Sequence, residues 1–156
     1  MVRWYMEHEA RKYFDTIFRD TSYGHIQYRL EQYWLCALIG LIFNEYNVNL
    51  KENIEITDSF TTDLRSFEDE IRALVFYRFL HITNVNPDDD TILSQMNEFF
   101  DMNNLSRIST NGMKYMDYFA SKGFDIIKEK IKLETTKNLY QFLTKYLKLI
   151  EEKYPN

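Results

Sequence analysis

Residues 30–43 read LEQYWLCALIGLIF. From Tyr33 to Phe43 the chain carries no charged or amide side chain over 11 residues, well short of the roughly 18 that a membrane span requires. A helical segment with no polar face must be surrounded by other elements. The stretch therefore predicts a central core helix over Tyr28–Asn44. Gly40 inside it costs about 1 kcal/mol relative to Ala, and its expected role is to admit a neighbouring helix at close range.

Working outward, Tyr13, Phe14, Ile17 and Phe18 share one helical face, which predicts a first helix over Trp4–Phe18, broken by Asp20, Thr21, Ser22 and Gly24. On the other side, VNLKENIEI (Val48–Ile56) alternates apolar with polar residues and predicts a short extended segment or hairpin. Ser66 and Asp69 have capping-box spacing, and Ile71, Leu74, Val75, Phe79 and Ile82 form the face of a third helix over Phe67–Ile82. NVNPDDD (84–90) reads as a loop, with Pro87 stopping one helix and Asp90 capping the next. A fourth helix over Thr91–Phe100 is expected to bury Ile92, Met96, Phe99 and Phe100. A fifth runs through Met113, Met116, Phe119, Ala120, Ile127 and Ile131, with Gly123 as a candidate interruption. A sixth, Lys137–Lys153, starts at Thr135 or Thr136 and sets Leu139, Phe142, Leu143, Tyr146, Leu147 and Ile150 on one side. With 4 Gly, 2 Pro and 45% apolar residues in 156, a disordered chain, a sandwich and a barrel are all disfavoured. The expectation is an all-α fold: one compact bundle of five to six helices spanning residues 1–156, with an irregular or short β-like crossover around residues 46–65.

Chemistry is harder to find than fold. The three histidines, His8, His25 and His81, lack a second His or Cys at metal-ligand spacing, and Lys12 stands where a zincin would need its second histidine. The acidic loop fails as a calcium loop because Asp89 occupies the glycine position and Gln95 the bidentate position. Pro87-Asp88 and Glu151-Glu152-Lys153 spell a metal-nuclease signature, but they fall at helix ends rather than on adjacent strands. Four scattered glycines cannot build a phosphate cradle. The single cysteine, Cys36, sits in the apolar run, where burial raises rather than lowers a thiol pKa. The reading is no enzyme, no catalytic residue, no metal, no cofactor and no small-molecule substrate. One cysteine, and Glu7, His8 and Glu9 where a signal peptide would be apolar, predict a cytoplasmic protein with no membrane partner.

Charge and aromatics point to surfaces instead. Asn44 to Asp101 holds 13 acidic and 4 basic residues, whereas Ser121 to Asn156 holds 8 lysines and 5 acids. The chain has 12 Tyr and 12 Phe, more rings than a bundle of this size can bury, and exposed Tyr beside Lys or Arg favours protein interfaces or unpaired bases. Two candidate interaction sets follow. One is Lys137, Tyr140, Lys145 and Lys148, with Tyr146, Tyr154 and Lys153 nearby; the other is Asp88, Asp89 and Asp90.

The order of segments also resembles small helical proteins associated with the Dnd DNA phosphorothioation systems of bacteria. The stretches that carry it are YWLCALIGLIF (33–43), VNLKENIEITDSF (48–60), FEDEIRALVFYRFLHI (67–82) and MDYFASKGFDIIKEKI (116–131). In the last, Tyr118, Ala120 and Gly123 match an E-Y-A-N-x-G-like element, while Asp117 stands for Glu and Phe119 intervenes. The resemblance implies a non-catalytic accessory or adaptor subunit of an anti-phage defence or DNA-modification complex, beside a larger ATPase or nuclease. Two other expectations stay open. One is a stand-alone inhibitor of the anti-CRISPR or toxin-immunity type, using its acidic region to block a nucleic-acid site. The other is a small nucleic-acid binder using the lysine-rich C-terminal helix.

Overall fold

The computed structural model describes residues 3–154 apart from 58, 63, 87 and 89. Among the described residues the chain forms six α-helices and one two-stranded sheet. The apolar stretch forms helix α2, Arg29–Phe43, and it packs most extensively against α5, Thr110–Lys130. Tyr33, Cys36, Ala37, Ile39 and Leu41 of α2 are buried, as are Met113, Met116, Phe119, Phe124 and Ile127 of α5. Two glycines set the separation of the pair. A Cβ on Gly40 would overlap the Phe119 carbonyl, and one on Gly123 would overlap the Cys36 carbonyl and come within 2.7 Å of the Gly40 nitrogen. Gly123 thus does not interrupt α5. It is the point where the helix backbones meet, and α5 runs unbroken for 21 residues. Asn44 ends α2 in the left-handed conformation at φ 55, with its N–H on the Gly40 and Leu41 carbonyls.

The first helix is shorter than its sequence period implies. Helix α1 covers His8–Ile17, and the preceding residues form strand β1, Tyr5–Glu7. Trp4 and Met6 point into the core while Tyr5 points out, a two-residue alternation that a helix cannot provide. The partner is β2, Asn53–Glu55, antiparallel with Met6 opposite Ile54. Trp4 extends the pairing, its N–H on the Thr57 carbonyl and its carbonyl accepting from Ile56 N–H. The crossover is therefore a strap, and only three of its residues are a strand.

Helices α3 (Glu68–Thr83), α4 (Ile92–Phe99) and α6 (Leu139–Lys153) complete the fold. Their starts differ from the expected caps. Ser66 lies in a 3-10 turn, and α3 begins after Phe67 with no side-chain cap. Thr91 precedes α4, and no side chain, Asp90 included, caps it. Asn138 caps α6 by accepting from Gln141 N–H at 3.0 Å, so Thr135 and Thr136 belong to the preceding turn. Asn84, at φ 55, ends α3, with its N–H on the Leu80 and His81 carbonyls, while the stop assigned to Pro87 lies outside the described residues. Two apolar expectations are corrected. Met96 is exposed although Phe99 beside it is buried, and Leu143 and Leu147 face solvent while Phe142, Tyr146 and Leu149 face the core.

Candidate functional site

The polar groups that the fold does bury converge where β1 crosses α5. Asp117 and Ser121, one turn apart on α5, both face the strand. The Ser121 hydroxyl donates to Glu7 Oε1 at the end of β1. Tyr33 of α2 donates to Asp117 Oδ1 at 2.7 Å, and the Tyr5 backbone N–H also reaches that carboxylate. Burial pushes the Asp117 carboxyl up to about 7, against the smaller opposing effect of these two donors. Burial likewise raises Glu7, whose Oε2 has no hydrogen bond and lies 3.8 Å from Lys51 Nζ. Lys51 itself donates to Asp125 Oδ1 at 2.6 Å, and Asn47 Nδ2 donates to Asp125 Oδ2 at 2.9 Å and to Ser121 Oγ at 3.2 Å. Partial burial opposes ionisation of Asp125, but these hydrogen bonds outweigh it and hold the carboxyl below its ordinary range.

This cluster draws groups from β1, the loop after α2, and α5, a convergence invisible in the linear order. Beneath it lies a cavity of about 20 Å³, lined among others by Glu7, Tyr33, Cys36, Asp117 and Ser121. That is room for about one water molecule, far below the roughly 300 Å³ at which small-molecule pockets begin. The arrangement can hold a proton and anchor a strand; this one cavity is too small for a substrate. Burial raises the Cys36 thiol well above its ordinary value, and its ring neighbour Tyr33 is raised too. Among the described residues no group of three or more His, Cys, Asp or Glu side chains converges as metal ligands.

A wider groove, about 660 Å³, opens beside the cluster between α1 and the last turns of α5. Tyr13, Phe124 and Leu133 help to floor it, and charged side chains rim it. The rim cations are partly consumed: Lys128 bonds Glu9 across the groove. Tyr13 spends its hydroxyl on the Ile131 carbonyl at 2.5 Å.

The residues singled out from the sequence separate. Tyr140 is 67% exposed, its ring 6.4 Å from that of Tyr23. Lys137 and Lys148 are exposed. Lys145 is a brace, its ammonium donating to the Thr135 carbonyl at 2.6 Å and to the Thr135 and Thr136 hydroxyls at 2.8 Å. Tyr146 turns inward and donates to the Leu35 carbonyl at 2.7 Å. Tyr154 donates to the Ile42 carbonyl, and the Lys153 ammonium lies over the Phe43 ring. Asp88 and Asp90 are exposed on the loop before α4, and Asp89 lies outside the described residues.

Sequence reasoning missed one run of exposed apolar side chains. Leu93 and Met96 on α4, then Met102 and Leu105 in the loop that follows, all face solvent. The loop is closed by pairing of Phe100 with Ile108 and by Asn104 Nδ2 on the Ile108 carbonyl. Its apolar residues carry no period, so no pattern marks them. No helix among the described residues is long and apolar enough to cross a membrane.

Comparison with models of protein families, with curated proteins and with solved structures gives no match.

Proposed function

We propose that this chain is a non-catalytic accessory or adaptor subunit that works by protein contact. The assembly is the one the segment resemblance implies, a bacterial anti-phage defence or DNA-modification complex with a larger ATPase or nuclease. The observation that supports this reading is the surface of α4 and the loop after it. Leu93 is 68% exposed, Met96 40%, Met102 72% and Leu105 70%. Isolated apolar residues on a surface are ordinary, but four within 13 positions form a concentration of the kind that marks an interaction site. Two are methionines, whose flexible thioethers adapt to an irregular partner surface. Exposed Asp88, Asp90 and Glu98 border the stretch. Exposed Arg107 follows Leu105, so the partner surface that fits is apolar, with basic groups facing the α4 end.

The test is capture of the native partner by the tagged chain, with Leu93→Asp/Met102→Asp as the control. The wild type is expected to co-purify with one large protein and to leave its activity intact or raised. The double variant is expected to lose that protein while keeping its circular dichroism spectrum. A chain recovered alone, or a partner held equally by the double variant, overturns the proposal. So does a captured nuclease that the chain displaces from nucleic acid, which identifies an inhibitor acting through residues 44–101. Salt-sensitive binding of DNA by the chain alone assigns it instead to nucleic-acid binders.

A further inference from the structure

The methionines among the described residues fall into two groups. Met6, Met113 and Met116 are each 2% exposed, and the Met116 sulfur accepts the Trp4 indole N–H at 3.4 Å. Met96 is 40% exposed and Met102 72%. Both exposed methionines therefore lie in one stretch, on α4 and in the loop after it, the stretch that also holds Leu93 and Leu105. The remaining sulfur, the Cys36 thiol, is buried, and burial favours its neutral form over the thiolate that reacts. Attack by an oxidant in solution follows exposure. Among the described residues, the sulfur chemistry open to such an oxidant is thus confined to the stretch that supports the adaptor reading.

We infer that Met96 and Met102 are sites of reversible oxidation to methionine sulfoxide, and that their oxidation releases the protein partner docked on α4 and the loop after it. The oxidant is a hydroperoxide. In the forward step a sulfur lone pair attacks one peroxide oxygen, and an S–O bond forms as the O–O bond breaks. With hydrogen peroxide, the transferred oxygen gives its proton to the departing hydroxide, which leaves as water. Sulfur loses two electrons and the peroxide gains them. The return step consumes two thiols: the sulfoxide oxygen leaves as water, the thiols become a disulfide, and the thioether is restored.

The change is from a flexible apolar group to a polar one. In the free chain it costs little, because both side chains already meet water. Against an apolar partner surface it buries an S–O dipole that needs a donor. Oxidation therefore weakens the complex and leaves the fold standing, and that asymmetry is what a switch requires. Loss of the apolar contact of one such side chain is expected to weaken binding about tenfold. The inference rests on the adaptor reading and adds a control to it.

The experiment oxidises the chain alone with dilute hydrogen peroxide, removes the excess with catalase, and then offers the chain its untreated native partner. Peptide mass mapping is expected to find an added oxygen on Met102 and Met96 before any on Met6, Met113 or Met116, with the circular dichroism spectrum unchanged. Capture of the partner is expected to fall about tenfold or more, and to return after treatment with a methionine sulfoxide reductase and dithiothreitol. Met96→Leu/Met102→Leu keeps the apolar surface without the sulfur and is expected to hold the partner equally before and after peroxide. Oxygen that arrives first on the buried methionines overturns the inference, as does a wild type that holds its partner equally in both states. Loss of the partner by the leucine double variant after peroxide overturns it too, because the sensitive group then lies elsewhere. A chain that captures nothing even before oxidation fails differently: it overturns the adaptor reading, and the release step with it.

Discussion

Helix α5 is held in two different ways along its length, by α2 on one side and by β1 on another. Against α2 the contact is made by backbone: Gly123 lies on the Cys36 carbonyl and Gly40 on that of Phe119. Against β1 the contact is made by ionisable side chains, with Asp117 taking the Tyr5 N–H and Ser121 holding Glu7. Where the glycines meet backbone, no group titrates and there is no space to yield. The second contact tolerates small changes of shape, yet it depends on where two protons reside. One helix therefore combines a seam limited by volume with a seam limited by pH.

The sharpest way to break the first seam is Gly123→Val. Overpacking by even a methylene or two costs up to about 3 kcal/mol where side chains can shift, and here the obstacle is backbone on both sides. Against a total stability of roughly 5–15 kcal/mol, the variant is expected to show no cooperative unfolding transition by near-ultraviolet circular dichroism.

The second seam predicts an unusual pH profile. Asp117 holds its proton more tightly folded than unfolded, so its stabilising contribution is complete below the ordinary value of 3.8 and is lost as pH rises through about 7. Glu7 acts in the same direction, and Asp125, held low, acts in the opposite sense only as pH falls below its ordinary range. Urea unfolding is expected to show a loss of roughly 2–3 kcal/mol between about pH 5 and pH 8 from Asp117. Asp117→Asn is expected to flatten most of that slope, leaving the part due to Glu7. A wild-type curve that is level from pH 5 to pH 8 contradicts the assignment.

A smaller effect separates the two carboxylates. Ser121→Ala removes the donor to Glu7 and leaves a buried oxygen unpaired, a loss of about 1–2 kcal/mol. Its cost is expected to be larger at pH 8 than at pH 5, because the missing hydrogen bond serves the ionised form of Glu7. An equal cost at both pH values would separate Ser121 from that carboxylate.

Much of the volume-limited seam was legible in the sequence. A run with no polar face must be enclosed, and a glycine inside it marks a close approach. Gly123 was misread because a lone glycine in a polar–apolar helix also fits a break; only the glycine facing it on α2 decides between the two. The β1 segment was hidden because three residues are too few to register a two-residue period beside the longer helical pattern of α1. Asn138 was passed over for Thr135 and Thr136, all of them capping types, since the geometry of the preceding turn chooses among them. The outward turn of Leu143 and Leu147 was not legible either: apolar residues occupy about half the circumference of α6, and the bundle covers less. The buried cluster around Glu7 and Asp117 depends on residues more than 100 positions apart, and the exposure of Met102 and Leu105 depends on where a non-periodic loop comes to rest. Neither has a local signature.

Cys36 sits at the seam between α2 and α5 and is the only thiol in the chain. Alkylating reagents can reach it only when the packing around it opens, between those two helices or beneath β1. The rate at which the native protein is labelled therefore clocks the opening of its own centre, with no probe added, and any ligand or partner that tightens the core will slow that clock.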